Sequence, residues 1–426
     1  MLDIKLIRDN PALVEKDLKK RGRDDKISLL HELILLDKER RQVIGKAEEL
    51  KAERNKVTKR VADLKANGKD VSHELSKMIE IPEKIKELDE KLSKFDDDCR
   101  KMLMQLPNIL DESVPIGKDD SQNVEVKRWG LVPNFKFKAK NHFDLLQDLK
   151  LIDSERASKI SGHGFFYLKD KLALLDYSIQ RFAIDHLIKK GYTLIQPPFM
   201  MQKKPYEGVT DLAAFEEVLY KIDGEDLHLI ATAEHPIAAM FMDETLEKKD
   251  LPIKLIGISP CFRKEVGAHG KYTRGLFRMH QFHKIEQFIF CLPDQSWQLH
   301  EELQRNSEEL CEALEIPYRV VNVCTGDIGD IAAKKYDIEF WMSDGHYREL
   351  GSNSNCTDYQ ARRLNIKYRE MEGRAPEGFL HTLNNTALAT SRAMVAIIEQ
   401  NQQEDGSIKI PKALHHYTGF KTIERK

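Results

Sequence analysis

The 426 residues are enough for two or three domains and a large core. At 41% apolar, 32% charged and a formal net charge of −2, the chain reads as soluble and rich in ion pairs, with no overall pull toward nucleic acid, so any basic surface must be local. Charges at Asp3, Lys5, Arg8, Asp9, Glu15, Lys16 and Asp17 exclude an uninterrupted signal-peptide core, no 18-residue apolar run follows, and six scattered cysteines without a C-x-x-C pair argue against a disulfide framework or a cysteine-rich zinc site. A reducing cytoplasm fits that cysteine usage.

The first third carries heptads. Leu29, Leu36, Val43, Leu50, Val57 and Leu64 recur every seven residues, and Leu33, Arg40, Ala47, Arg54 and Val61 follow four residues after the first five. That alternation is the seam of a coiled coil. Asn67 and Gly68 predict a stop, and Met78, Ile81, Ile85, Leu88, Leu92, Phe95, Cys99, Met102 and Leu106 carry the return helix, which Pro82 is expected to kink. A short turn between two such runs predicts antiparallel packing, with a first helix about 58 Å long reaching beyond any globular body. Lys51–Lys69 holds seven basic and two acidic side chains, whereas Glu80–Asp98 holds eight acids and four lysines. This is either a solvated coiled-coil surface or an arm whose basic distal half meets a phosphate backbone. The arm alone does not decide between them.

From Pro107 to about Val124 the pattern dissolves into a turn-rich polar linker. Beyond it, 172–191 predicts a helix ending at Gly191, followed by strand-like YTLIQPPFMM; 296–315 predicts another helix, then come the strand-like runs YRVVNVCTG, YDIEFWM and YRELGSNSN, and LNNTALATSRAMVAIIEQNQQ is expected to be helical. Strand runs joined without intervening helices favour an antiparallel sheet with helices around it. Neither G-x-G-x-x-G nor G-x-x-x-x-G-K-[ST] occurs, so a nucleotide bound here is not held by either common phosphate loop.

The segment FRKEVGAHGKYTRGLFRMHQFHKIEQF, Phe262–Phe288, reads as a hairpin with unusual charge. Strand alternation places Leu276, Arg278, His280, Phe282, Lys284 and Glu286 on one face, and Arg263 and Glu265 share a face of the partner strand. Arginine forks for phosphate oxygens, a flat Phe for a base and carboxylates for an amine would together suit a nucleotide triphosphate beside an amino-bearing substrate. A surface hairpin with cross-strand ion pairs is the alternative from spacing.

These residues closely resemble motif 2 of class II aminoacyl-tRNA synthetases, in the form found in the seryl-tRNA synthetase family. GYTLIQPPFMM resembles motif 1 at the dimer interface, and ATAEHP contains the Thr-x-Glu signature associated with serine. CTGDIGDIAAKKYDIEFWM and YRELGSNSNCTDYQARRLNIKYR resemble the segment before motif 3, HTLNNTALATSRAMVAIIEQNQQEDGSIKIP resembles motif 3, and the heptad hairpin is similar to the family's tRNA-gripping arm. The resemblance covers nearly the whole chain in order. It implies an α+β protein: an antiparallel α-helical coiled-coil arm over 1–110, with its tip near 66–71, and an antiparallel β-sheet catalytic domain flanked by helices over 111–426.

By that resemblance, Arg263 meets the α-phosphate of ATP, Glu265 the adenine amino group, Arg278 the outer phosphates and Arg392 the γ-phosphate; these three arginines would be the catalytic groups. Lys264, Met279, Leu350 and Gly351 would complete the ATP site, and Phe282 would stack on adenine. L-serine would be bound by Thr232, Ala233, Glu234, Glu286 and Thr386. Glu349 and Ser352 would coordinate Mg²⁺ with ATP. Arg392 lies beside an apolar run, and a buried cation there needs an anion nearby. No zinc is expected.

The implied activity is ATP-dependent formation of seryl-adenylate and transfer of serine to tRNA(Ser), and to tRNA(Sec) where the organism has it, by a cytoplasmic homodimer with no membrane association. Two departures stand out: many members have Gly-Ser where this chain has Asn385-Thr386, and Ser-Ser or Val-Ser where it has Gly351-Ser352. Threonine at the first site also occurs in archaeal-type and eukaryotic members; the second leaves only the role of Gly351 in doubt. The tip Val266–Arg274 is expected to be mobile without ligand and to close over ATP or the tRNA acceptor end.

Overall fold

The computed structural model describes residues 1–211, 217–265 and 275–425. The expectation for the loop Val266–Arg274 therefore lies outside the described residues. The chain divides into two compact units, Met1–Ile109 and Leu110–Lys426, and no helix among the described residues is long and apolar enough to cross a membrane.

In the first unit, helices α1 (Ile4–Asp9) and α2 (Pro11–Lys20) precede the long pair α3 (Ile27–Ala66) and α4 (Ser72–Leu103). Leu33, Val43, Ala47, Val57 and Val61 of the expected seam are buried, as are Ile81, Ile85 and Cys99 of the return helix, and Val57 and Val61 pack with Ile81 and Ile85. Arg40, at a seam position, is matched by Asp96 across the pair at 2.5 Å, while Arg54 is exposed. The stop falls where expected. Gly68 takes φ +66°, the Lys69 amide donates to the Leu64 carbonyl (3.0 Å) and the Gly68 amide to Lys65 (3.2 Å), which closes the last turn in the manner glycine permits. Helix α4 continues through Pro82. Helices α1 and α2 carry no heptad signal; an apolar set (Ile7, Val14, Leu18) and the Arg8–Asp37 ion pair at 3.0 Å anchor them to the base of α3.

The second unit is built on an eight-stranded sheet. Its strands in chain order are β1 (Val124–Trp129), β2 (Thr193–Ile195), β3 (Ile253–Phe262), β4 (Gln281–Cys291), β5 (Tyr318–Asn322), β6 (Lys334–Trp341), β7 (Tyr347–Asn355) and β8 (His381–Ala389). Spatially they run β1-β5-β6-β7-β8-β4-β3-β2, antiparallel throughout except the edge pair β2–β3. The helices that matter to the site are α5 (Lys171–Lys189), α6 (Glu234–Ala238), α7 (Ser296–Ala313), α8 (Tyr359–Leu364) and α9 (Thr390–Gln400). Together with the coiled-coil pair this is the α+β architecture expected.

Two expectations are corrected. The run from Leu383 is not helical throughout: Leu383–Ala389 belongs to β8, and helix begins only at Thr390. Asn384, Asn385 and Thr386 are weak helix formers, and the tertiary setting uses them in a central strand. The Asn385 amide donates to the Leu303 carbonyl and to Ser307 Oγ (2.9 Å), and Ser307 donates to the Thr386 carbonyl (3.2 Å), fastening β8 to α7. The second concerns the hairpin. Strand β4 starts at Gln281; Gly275–Phe277 forms a 3₁₀ turn, with Leu276 and Phe277 in the core, so simple alternation does not extend back to Arg278. The segment read as a linker is also partly packed, since Leu110 and Val114 bury against Val323, Ile328 and Ala332.

Candidate active site

Strands β3, β4, β8 and β7 are adjacent in the sheet; Phe282 and Glu286 lie on β4, Thr386 on β8 and Glu349 to Ser352 on β7, while the other expected residues lie outside these strands. Cys261 of β3 stands opposite Phe282 of β4, so Arg263, just past the end of β3, emerges beside the Phe282 ring. Its guanidinium lies 5.4 Å from that ring's centroid, its Nε donates to the Ala231 carbonyl (3.2 Å), and its amide donates to the His280 carbonyl (3.0 Å). A cation over a π face is favourable and stiffens both groups. Glu265 has φ +48° and accepts a hydrogen bond from Arg278 Nη1 at 3.1 Å. The two side chains are thus brought together although the alternation argument for Arg278 fails.

Glu286 and Thr386 face each other across the β4–β8 ladder, with Thr386 Oγ1 donating to Glu286 Oε2 at 3.4 Å. Glu286 is buried. On the neighbouring segment, the Glu234 amide donates to Thr232 Oγ1 (3.2 Å), which fixes the entry into α6, and Gln360 of α8 donates to Glu234 Oε1 (3.5 Å). Burial and the nearby Glu286 carboxylate push the Glu234 carboxyl up to about 7, against the pull of Lys284, Gln360 and Arg263. Ala233 is buried and contributes packing. Underneath, burial together with Lys284 and Arg263 holds His235 down at about 3, so it is neutral, and its Nδ1 shares a hydrogen bond with the Tyr206 hydroxyl at 2.8 Å.

Along β7, the register against β6 slips between Ile338/Gly351 and Glu339/Glu349, leaving Leu350 as the extra, buried residue. That bulge turns Glu349 and Ser352 to the same side, with Ser352 Oγ 3.5 Å from Glu349 Oε1. Arg392, in the first turn of α9, supplies the pairing its setting demands: Nη1 is 3.0 Å from Glu349 Oε1 and donates to the Glu349 carbonyl at 2.9 Å. Burial works to raise Glu349, but Arg392, Lys335 and Arg263 outweigh it and hold the carboxyl down at about 2. Gly351 has a steric reason: a Cβ there would sit 2.7 Å from Thr386 Cβ. The two departures from the family pattern therefore touch each other.

Two further expected ATP residues have different surroundings. Lys264 is exposed, with its ammonium over the Tyr220 ring at 5.8 Å, and Met279 is buried, lining with Phe282 a cavity of about 230 Å³. Residues that carried no sequence assignment also appear. Lys284 is buried against Glu286; Gln360 bridges Glu234 and Thr382; and Asp337, opposite Ser352, is raised to about 7, mainly by burial. Only Lys284 had a signal in the sequence, its place in the alternating row with Phe282 and Glu286.

This geometry sets a group of arginines beside a pocket with one buried carboxylate, Glu286, and one half-buried one, Glu234; comparison with known proteins then gives the family. Residues 1–110 match the seryl-tRNA synthetase N-terminal domain, and residues 218–401 match the tRNA synthetase class II core domain (G, H, P, S and T). The chain is 53% identical over 422 residues to a serine–tRNA ligase of Methanospirillum hungatei, covering 99% of each. It belongs to the seryl-tRNA synthetase family. Among solved structures, the seryl-tRNA synthetase of Pyrococcus horikoshii complexed with ATP is 47% identical, with a TM-score of 0.94 and full coverage of both chains. The cytoplasmic serine–tRNA ligase of Naegleria fowleri in complex with AMP is 35% identical, with a TM-score of 0.89, covering 100% of this chain and 99% of that one.

Proposed function

We propose that the chain is a serine–tRNA ligase that carries out both steps of its reaction on the surface formed by β3, β4, β8 and β7. The observation that carries this reading is the juxtaposition of Glu286, a buried carboxylate that can meet a hydroxyl, and Glu234, a half-buried one that can meet a cation, with Arg263, a cation that needs an anion.

Serine's ammonium meets Glu234, with Thr232 and Ala233 shaping that wall, and its hydroxyl meets Glu286 and Thr386. Adenine stacks on Phe282, with Glu265 at its amino group and Lys264, Met279, Leu350 and Gly351 completing the nucleotide pocket. Arg263 holds the α-phosphate, Arg278 the outer phosphates and Arg392 the γ-phosphate. A carboxylate oxygen of serine attacks the α-phosphorus while the bond to the bridging oxygen of pyrophosphate breaks, and pyrophosphate leaves. A hydroxyl of the terminal ribose of tRNA then attacks the carbonyl carbon and AMP departs. No protein nucleophile is needed; positioning and charge stabilisation accelerate the first step.

Glu349, ionised, and Ser352 offer the oxygen donors that a hard divalent cation takes, so these two residues would hold Mg²⁺. When bound, the ion supplies neutralisation of charge on phosphate oxygens. No zinc has a role in this reading.

The coiled-coil pair of 1–110 is read as the tRNA-binding arm, and 111–426 as the catalytic domain. Lys51 and Arg60 are paired to α4, whereas Arg54, Lys56, Lys59, Lys65 and Lys69 are exposed near the tip, which supports contact with the phosphates of tRNA(Ser), and of tRNA(Sec) where present. Exposed Leu174, Tyr177 and Ile188 on α5, with Leu194 and Met200 beside it, support a homodimer. Six cysteines, all free and buried, support a cytoplasmic home. Charging of tRNA with serine, alanine, glycine and threonine in parallel tests the reading: serine alone should be transferred, and equal transfer of alanine would remove it.

A further inference from the structure

Lys284 precedes Glu286 by two residues on β4, so both side chains leave the same face. Its ammonium lies 2.5 Å from Glu286 Oε2 and donates to Thr386 Oγ1 at 3.4 Å, and only 7% of the side chain is exposed. Thr386 in turn donates to the same Glu286 oxygen. The three groups close a triangle on Glu286 Oε2, while Oε1 makes no such contact among the described residues.

The other groups around Lys284 come from every neighbouring element. Ser259 stands opposite it on β3, and Cys261, further along β3, is a thiol whose proton burial retains. Glu234 and His235 approach from α6, and Arg263 from the end of β3. His235 is neutral, and Arg263 is committed to the Ala231 carbonyl and the Phe282 ring. Neither contact cancels the guanidinium charge, which is left for an anionic ligand; on the amino-acid side the charges are the Lys284 ammonium and the carboxylates of Glu286 and Glu234. A buried charge is costly unless it is paired, and the 2.5 Å contact gives Lys284 and Glu286 that pairing.

We infer that Lys284 is a positioning and charge-balancing residue of the amino-acid pocket: it cancels Glu286, so that Glu286 reads a neutral hydroxyl and Glu234 alone takes the ammonium. This rests on the serine reading of the site. The consequence is a selectivity rule. An amino acid of serine's size with a cationic side chain would bring a second positive charge against an already neutralised Glu286. Such a ligand is 2,3-diaminopropionate below the pKa of its side-chain amine.

The test is pyrophosphate exchange by the full-length protein with serine and with 2,3-diaminopropionate, comparing the unaltered chain with Lys284→Met. The kcat/KM ratio should favour serine strongly in the unaltered protein and move toward diaminopropionate by roughly 100-fold in the variant, the scale set by an uncompensated buried charge. The KM for ATP should stay within a factor of about two, since uniform ATP binding is untouched. An unchanged ratio with normal serine activation in the unaltered protein overturns the inference while leaving the serine reading standing. Absence of serine activation in the unaltered protein overturns both. Should Lys284→Met not fold, Lys284→Gln, which keeps a donor toward Glu286 and removes only the charge, reads the same ratio: a shift of at least about tenfold toward diaminopropionate is expected, and an unchanged ratio overturns the inference.

Discussion

Arg392 holds Glu349 twice, through the carboxylate at 3.0 Å and through the residue's own carbonyl oxygen at 2.9 Å. The guanidinium is fixed further by lying 5.1 Å from the centroid of the Phe277 ring. A side chain so constrained can present its remaining donors to a phosphate with little loss of freedom. Arg392→Ala should lower kcat/KM for ATP by roughly 100-fold, the usual scale for one preorganised donor. Initial rates of exchange at varied ATP, with serine saturating, check this; a change below threefold would remove Arg392 from the phosphate site.

The acid side of the pH profile should belong to Glu234. Its carboxyl titrates at about 7, raised by burial and Glu286, and only its ionised form attracts an ammonium. The kcat/KM for serine should therefore rise through about pH 7 and level off above it, with a limb that Glu234→Gln lacks along with most of its activity. The linkage sign follows. Between the ordinary value of 4.5 and about 7 the folded protein holds a proton that the unfolded chain has lost. The stabilisation from this group is complete below 4.5 and is lost as pH rises through about 7. Added serine should therefore raise Tm more at pH 8 than at pH 6.

Glu286→Gln keeps the shape of the side chain but leaves the Lys284 ammonium without its anion. Breaking one partner of a buried pair should cost about 3 kcal/mol of stability, visible as a lower denaturant midpoint. Serine activation should fall by at least roughly 100-fold, because the polar groups dedicated to the hydroxyl no longer match it. Unchanged stability together with an unchanged serine KM would remove Glu286 from the pocket.

Removing Ala47–Leu92 and rejoining α3 to α4 by a short turn should spare serine-dependent pyrophosphate exchange and cripple charging of tRNA. The same truncation should flatten the salt dependence of tRNA binding, since exposed lysines and arginines near the tip leave with it. Charging that survives the truncation would make the arm a scaffold and not a tRNA reader.

Much of this was legible in the residues because the signals were local. The heptad seam follows from a period of seven, and its stop from Asn67-Gly68, whose backbone takes the left-handed conformation at Gly68. The row Phe282, Lys284, Glu286 follows from strand alternation and holds, because all three are paired with β3, and Lys284 and Glu286 with β8 as well. What was not legible depended on tertiary partners. Nothing within Leu383–Ala389 announces that Asn385 will bond to Leu303 and Ser307, which is what makes that stretch a strand. The bulge that aligns Glu349 with Ser352 is a property of pairing with β6. Lys284 was in plain view, but its role depends on burial, which spacing does not report.

The central claim is that this pocket activates serine and no close analogue of it. Serine-dependent ATP–pyrophosphate exchange by the purified chain, with alanine, glycine and threonine as controls, tests it most directly. Exchange is expected with serine and, with alanine, a kcat/KM lower by roughly 10⁴-fold, the discrimination open to a site built to hydrogen-bond a hydroxyl. Exchange with alanine or threonine as fast as with serine, or none with serine, would contradict it.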